Sequence, residues 1–149
     1  MEFKAPETLR EEHMELHKEL ARIKEVGGKI GEAAELVAEI MHPHFVKEEE
    51  YAMPPLGLLA PLAKGDITPE MAGILDATNK LKILMPRMLA EHQNIIEALL
   101  NLANVATKEG RMEFAFIAKK LIAHAKAEEE FLYPAAILVG EYLKLVLNK

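Results

Sequence analysis

Residues 44–54 read HFVKEEEYAMP, and residues 124–134 read HAKAEEEFLYP. The two stretches align without gaps as H-x3-E-E-E-[YF]-x2-P, which is a specific pattern. A Glu-His pair stands at nearly the same distance upstream of each stretch, at residues 12–13 and 91–92. The chain is therefore predicted to contain two helical hairpins of one design, facing each other across a pseudo-twofold axis.

The periodicity of apolar residues predicts helices on both sides of these stretches. Apolar side chains recur in alternating steps of three and four, whereas the period-2 alternation of strands is rare. The predicted helices run from about Pro6 to Val26, from Ile30 to Tyr51, from Thr68 to Lys108 and from Arg111 to Pro134, with a short extra C-terminal helix reaching Leu147. Because Gly27-Gly28 and Gly110 mark short turns, we expect an all-α, up-down-up-down four-helix bundle.

The helix ends and the longest connection carry their own signals. Thr8 with Glu11 forms a capping-box pattern at the start of the first helix. Residues 54–67 contain several prolines and glycines, and we expect a loop there. The apolar segment 53–63 is expected to be a lid over the bundle end, a contact in a homo-oligomer or a loop packed on the helices, and a contact or packing is favoured.

Each predicted helix has a histidine where its own periodicity requires an apolar side chain, and the second and fourth helices add a glutamate one turn later. These interior polar positions are His13, His44, Glu48, His92, His124 and Glu128. Left unsatisfied in a bundle core, each would cost about 1–3 kcal/mol. A bound cation removes that cost, and imidazole nitrogen with carboxylate oxygen is a ligand set for iron, manganese or zinc. Two equivalent halves indicate two ions, with Glu48 and Glu128 as candidate bridges.

Other polar residues near these six interior positions allow two interpretations. His17 follows His13 by one turn, slightly off the interior face, and is equally well an additional ligand or a partly exposed helix histidine. Tyr51 follows Glu48 on the interior face, where its hydroxyl is a candidate hydrogen-bond donor to a ligand. Simple core packing is favoured for Tyr51, because its counterpart is Phe131. His42 is expected to point away from His44, toward the surface.

Four glutamates adjoin the candidate ligands in sequence but lie off the interior face. They are Glu12, Glu49, Glu91 and Glu129. Most are expected to be solvated or paired with lysines, and a contact to a ligand histidine is the minority expectation.

Composition excludes several classes of function. The formal net charge of −6 argues against sequence-independent nucleic-acid binding. The chain has no cysteine and no serine, which removes disulfides, thiolate sites and both common nucleophiles, and no catalytic residue is predicted. No uncharged stretch is long enough for a membrane span, and the charged N-terminus lacks a secretory signal. We expect one cytoplasmic domain over residues 1–149.

The ordered set of the six interior residues, with the acidic and proline residues that follow them, resembles the hemerythrin-like HHE cation-binding domains. The resemblance extends from about Leu9 to Pro134. It implies a four-helix bundle with two non-haem iron ions in an Fe–O–Fe type centre, with zinc or manganese left open as alternatives. It also implies a role in binding or sensing oxygen or nitric oxide, in iron sensing or storage, or in repair of iron centres.

Two departures separate the chain from the oxygen-carrying hemerythrins that it resembles. Those proteins have a second histidine one turn from the third-helix histidine, where this chain has Met88 and Ile96 beside His92. The last motif is H-x3-E rather than H-x4-D. The departures argue against reversible oxygen carriage more than against binding of two metals.

Three functions therefore compete at this stage. The favoured one is a di-iron protein that binds a small ligand or iron without turning over an organic substrate. The second is a di-metal oxidase or peroxidase of ferritin-like type, which would use Glu-x-x-His on two helices. Only Glu39-x-x-His42 fits that motif, and it lies off the interior face. The third is a metal-free interaction module, which the doubled H-x3-E motif disfavours.

Overall fold

The computed structural model describes all 149 residues and contains helices and turns without strands. Four long helices form the bundle: α1 (Glu7–Glu25), α2 (Gly28–Lys47), α5 (Leu75–Lys108) and α6 (Met112–Ala127). The shorter helices are α3 (Met53–Leu56), α4 (Leu59–Ala63) and α7 (Tyr133–Leu147). None of these helices has both the length and the apolar character that a membrane crossing requires.

The bundle closes through two helical hairpins. Gly27 and Gly110 have φ angles of 76° and 71°, which are favourable for glycine, and they allow the chain to reverse within a few residues. Helix α1 packs on α2 and α6, while α5 packs on α2 and α6. The predicted all-α four-helix bundle is confirmed.

Two apolar clusters lie along the bundle on either side of the six predicted interior polar residues, which together form a polar layer. One contains residues such as Leu16, Phe45 and Ile95, and the other contains Met88 and Ala52. The interior histidines lie between these clusters along the helices; His92, for example, stands between Met88 and Ile95. The apolar layers exclude water from both sides, so five of the six polar side chains between them are nearly fully buried, and His124 is partly buried.

Some predicted local features are absent. Residues 54–67 are not simply a loop, because α4 and most of α3 lie within this region. Helix α1 begins at Glu7 after Pro6, and no side chain caps its N-terminus, so the predicted capping box of Thr8 and Glu11 does not form. Thr8 already lies in the first helical turn, where its hydroxyl cannot act as an N-cap.

A π-helical segment interrupts each of the two repeated stretches. These segments span Glu48–Ala52 and Glu128–Leu132. Each is closed by a backbone N–H that donates to a carbonyl five residues back, from Met53 to Glu48 and from Tyr133 to Glu128. The following residue is a proline in both cases and has no N–H to donate, which leaves the wider turn undisturbed.

The extra residue in each wide turn rotates the chain that follows. Regular α-helical spacing predicts that Phe131, three residues after Glu128 and the counterpart of Tyr51, faces the interior, but Phe131 is 65% exposed. Tyr133, five residues after Glu128, is only 1% exposed. The predicted interior face is therefore wrong beyond Glu128, and Tyr51 is likewise only partly buried in the other half.

Candidate metal centre

The six predicted interior residues come together in two adjoining groups that share one member. In each group, the candidate ligand atoms lie within 4.8 Å of one another. The first group is His44, Glu48, His92 and Glu128, and the second is His13, His124 and Glu128. The two helical hairpins thus contribute to both groups.

Glu128 lies between the groups with one carboxylate oxygen toward each. Its Oε1 is 3.3 Å from Nε2 of His92. Its Oε2 is 3.2 Å from Nε2 of His13 and 3.3 Å from Nε2 of His124. A carboxylate in this position can bridge two cations.

Glu48, the other candidate bridge, faces only the first group. Its Oε1 is 3.8 Å from Nε2 of His44, and its Oε2 accepts a 2.7 Å hydrogen bond from the Tyr133 hydroxyl. Of the two glutamates, only Glu128 stands between the groups. The two halves are therefore less symmetric than the repeat predicts.

Outer carboxylates orient three of the four histidines. The Nδ1–H of His44 donates to Glu91 at 2.9 Å, that of His92 to Glu129 at 3.0 Å, and that of His124 to Glu12 at 2.7 Å. Because a carboxylate only accepts hydrogen bonds, each contact places the ring proton on Nδ1 and directs the Nε2 lone pair inward.

Contacts to the interior histidines are thus more frequent among the adjoining glutamates than expected, although Glu12 and Glu49 are exposed and Glu91 is also paired with Lys47, as the expectation allowed. In three cases the glutamate on one helix reaches a histidine on a neighbouring helix, which depends on how the helices face each other. Glu49 has no such contact, and the buried Nδ1 of His13 has no hydrogen-bond partner.

The packing shifts the pKa values of the two buried glutamates in opposite directions. Burial raises the pKa of Glu48 well above its usual range, and the adjoining Glu128 raises it further. Burial opposes ionisation of Glu128 too, but the adjoining Glu48 and the surrounding histidines hold its pKa well below the usual range. Glu48 is therefore the more easily protonated of the two carboxylates, and a bound cation would favour the ionised form of both.

The pKa values of the two histidines in the H-x3-E motifs, His44 and His124, shift in opposite directions. Burial lowers the pKa of His44 and outweighs its hydrogen bond with Glu91. Burial also acts to lower the pKa of His124, but Glu128 and Glu12 outweigh it and raise that pKa. His44 is thus the more readily neutral ligand of the pair, since a metal ligand must give up its proton.

The donor set fits a metal ion. The Nε2 atoms of His13 and His124 face each other at 3.2 Å, and the buried Oε1 of Glu48 has no hydrogen-bond partner. The lone pairs of these nitrogen and oxygen atoms point toward one another with too few protons between them. A bound cation would accept these lone pairs.

The comparison with known families agrees with this geometry. The model of the hemerythrin HHE cation-binding domain matches residues 4–136, which is most of the chain. The chain belongs to the hemerythrin HHE cation-binding family. No curated protein and no solved structure matches it significantly. The family and the clustered histidines and glutamates together support metal binding by this HHE domain.

The remaining predicted candidates lie outside the two groups. His17 is exposed, and its ring packs on Phe45 with a centroid distance of 4.2 Å. Tyr51 is partly buried, and desolvation together with the neighbouring Glu50 carboxylate raises its pKa. His42 is exposed, as expected from its position on α2.

Tyr133 is the functional candidate that sequence reasoning missed. Its hydroxyl lies within hydrogen-bond distance of three atoms of the first group. In a regular α-helix, a residue five positions after an interior glutamate does not face inward. It does so only if a π turn intervenes. The available signal was the proline that follows both repeated acidic stretches.

The orienting glutamates lead to a prediction for this HHE domain. Replacing Glu91 by Gln removes the charged acceptor of His44 Nδ1–H, and we expect metal affinity to fall about 10–100-fold without unfolding the protein. Competition against a metal chelator measures this change. Glu49→Gln is the matched control, because Glu49 is an exposed glutamate without a contact to a ligand histidine. Equal affinities for the two variants would contradict the prediction.

Proposed function

We propose that this domain holds two non-haem iron ions and uses them to bind or sense a small diatomic molecule such as oxygen or nitric oxide, or to handle iron. The observation that carries the proposal is the position of Glu128, with one oxygen toward each of two histidine-containing groups. Such a shared carboxylate would hold one metal ion on each side, near enough for both to contact one small ligand.

The chain's own residues define the chemistry of this site. Four imidazoles supply neutral donors, while Glu48 and Glu128 supply charge that balances the cations. Iron, when bound, supplies the capacity to exchange electrons with a diatomic ligand. The protein positions the ligands, and the apolar layers around them keep bulk water out.

Access to the site favours a small ligand over an organic substrate. The His124 side chain is 10% exposed, whereas those of the other five predicted ligands are at most 4% exposed. The limited exposure of one imidazole supports a diatomic ligand more than a larger substrate.

The oxidase or peroxidase alternative gains no support from a second motif. Glu39 and His42, the one Glu-x-x-His pair, are both exposed and lie outside the ligand groups. A cytoplasmic location and a homo-oligomer through segment 53–63 stay predictions. Met53, Leu56 and Leu58 of that segment pack inside the chain, while Leu59 is exposed.

Metal analysis of protein purified in air, combined with its absorption spectrum, tests this proposal. We expect two irons per chain, one for each ligand group, with ligand-to-iron charge-transfer bands. A full complement of zinc that iron reconstitution does not replace would overturn the proposal. Oxygen added to the reduced protein and then removed under vacuum separates carriage from oxidation, because only a carried ligand is released unchanged.

A further inference from the structure

Tyr133 occupies a position inside the first ligand group rather than beside it. It is the first residue of α7, directly after the second π segment, and it is 1% exposed. Its phenol oxygen lies 2.7 Å from Oε2 of Glu48. It also lies 3.0 Å from Nε2 of His44 and 2.9 Å from Nε2 of His92. One oxygen atom thus contacts three of the four residues of that group.

Hydrogen bonding alone cannot satisfy these contacts. The Nδ1 protons of His44 and His92 point to Glu91 and Glu129, and a neutral imidazole of this tautomer presents only a lone pair at Nε2. The phenol has a single proton, which it donates to Glu48. Two nitrogen lone pairs therefore face the phenol oxygen without a proton between them, and a cation placed among these atoms would satisfy all of them.

We propose that the phenol oxygen of Tyr133 is a ligand of the metal ion held by His44, Glu48 and His92. This proposal rests on the proposed di-iron function. When the oxygen–metal bond forms, the O–H bond breaks and its proton passes to water. The bound phenolate adds an anionic oxygen to the set, which favours a hard cation such as ferric iron.

The same ligand makes the two metal positions unequal. The residue that corresponds to Tyr133 in the first repeat is Met53, which also follows a glutamate by five positions and precedes a proline. Met53 is buried but offers a thioether, a poor ligand for hard cations. The first group therefore has a phenol oxygen, while the group of His13 and His124 keeps only its two imidazoles and the shared Glu128.

A spectroscopic experiment tests the proposal without relying on activity. Ferric iron is added to the full chain, the iron is counted, and the visible spectrum and resonance Raman spectrum are recorded. We expect a phenolate-to-iron charge-transfer band with phenolate vibrations. The chain has three tyrosines, so single replacements assign the band. Tyr133→Phe is expected to abolish it, while Tyr51→Phe and Tyr142→Phe retain it at full intensity.

The outcomes distinguish the proposed ligand role of Tyr133 from the proposed di-iron function on which it rests. Wild-type protein that holds two irons without phenolate vibrations overturns the role of Tyr133 and leaves the di-iron proposal standing. A band that persists in Tyr133→Phe has the same meaning. Wild-type protein that takes up no iron overturns both proposals. If Tyr133→Phe does not fold, a band retained in both Tyr51→Phe and Tyr142→Phe, which change less buried tyrosines, still assigns it to Tyr133, and loss of the band in either variant overturns the assignment.

Discussion

Replacing Glu128 by Gln is expected to remove both of the proposed metal ions at once. Glu128 is the one residue that belongs to both ligand groups, and its two oxygens face opposite sides. Gln keeps the shape of the side chain but has no negative charge, and its NH2 group cannot serve as a ligand. We expect metal content to fall from two ions per chain to nearly none, measured by metal analysis after gel filtration.

Two variants make this result specific. Glu48→Gln changes a carboxylate that faces only the first group, so it should lose one ion and keep the other. Glu130→Gln changes an exposed glutamate in the same acidic stretch as Glu128 and should keep both. If Glu48→Gln and Glu128→Gln lost the same amount of metal, Glu128 would not be the sole carboxylate between the two positions.

The helices and most of the buried polar layer could be predicted because they depend on local periodicity. A histidine such as His92 stands between buried apolar neighbours at helical spacing, so its inward direction follows from sequence alone. The duplicated H-x3-E pattern added the relation between the two hairpins. Both inferences need only the geometry of a regular α-helix, and both fail where that geometry changes.

That geometry changes at the π segments, so regular α-helical spacing does not predict that Tyr133 faces inward and Phe131 outward. The proline after each acidic stretch signals an altered hydrogen-bond pattern, but a kink or a helix end would produce the same signal. The sequence repeat also conceals a difference between the halves, since Met53 and Tyr133 occupy corresponding positions with different chemistry.

The orienting carboxylates could not be predicted for a different reason. Glu91 adjoins His92 in sequence but accepts its hydrogen bond from His44 on another helix. Such a contact depends on the rotation and spacing of two packed helices, which periodicity along one helix does not determine. Glu49 shows this clearly, because it stands at the repeat position of Glu129 yet does not contact a ligand histidine.

The four histidine positions make a second large effect testable. We expect His44→Ala to lose the ion of the first group and His124→Ala to lose the ion of the second, while the double variant binds none. Each change removes an imidazole from a centre that has few ligands, so the loss should exceed the roughly 10–100-fold effect of an orienting residue. Metal content and chelator competition measure it, and far-UV circular dichroism checks that each variant remains helical.

His42→Ala is the matched control for these variants. His42 lies on the same helix as His44, two residues earlier, but it is exposed and outside both groups. Its replacement should leave two ions bound with unchanged affinity. Equal loss of metal from His42→Ala and His44→Ala would mean that the ions bind at surface imidazoles. The exposed His42 lies outside both ligand groups, so its replacement should not weaken metal binding at a buried centre that contains His44.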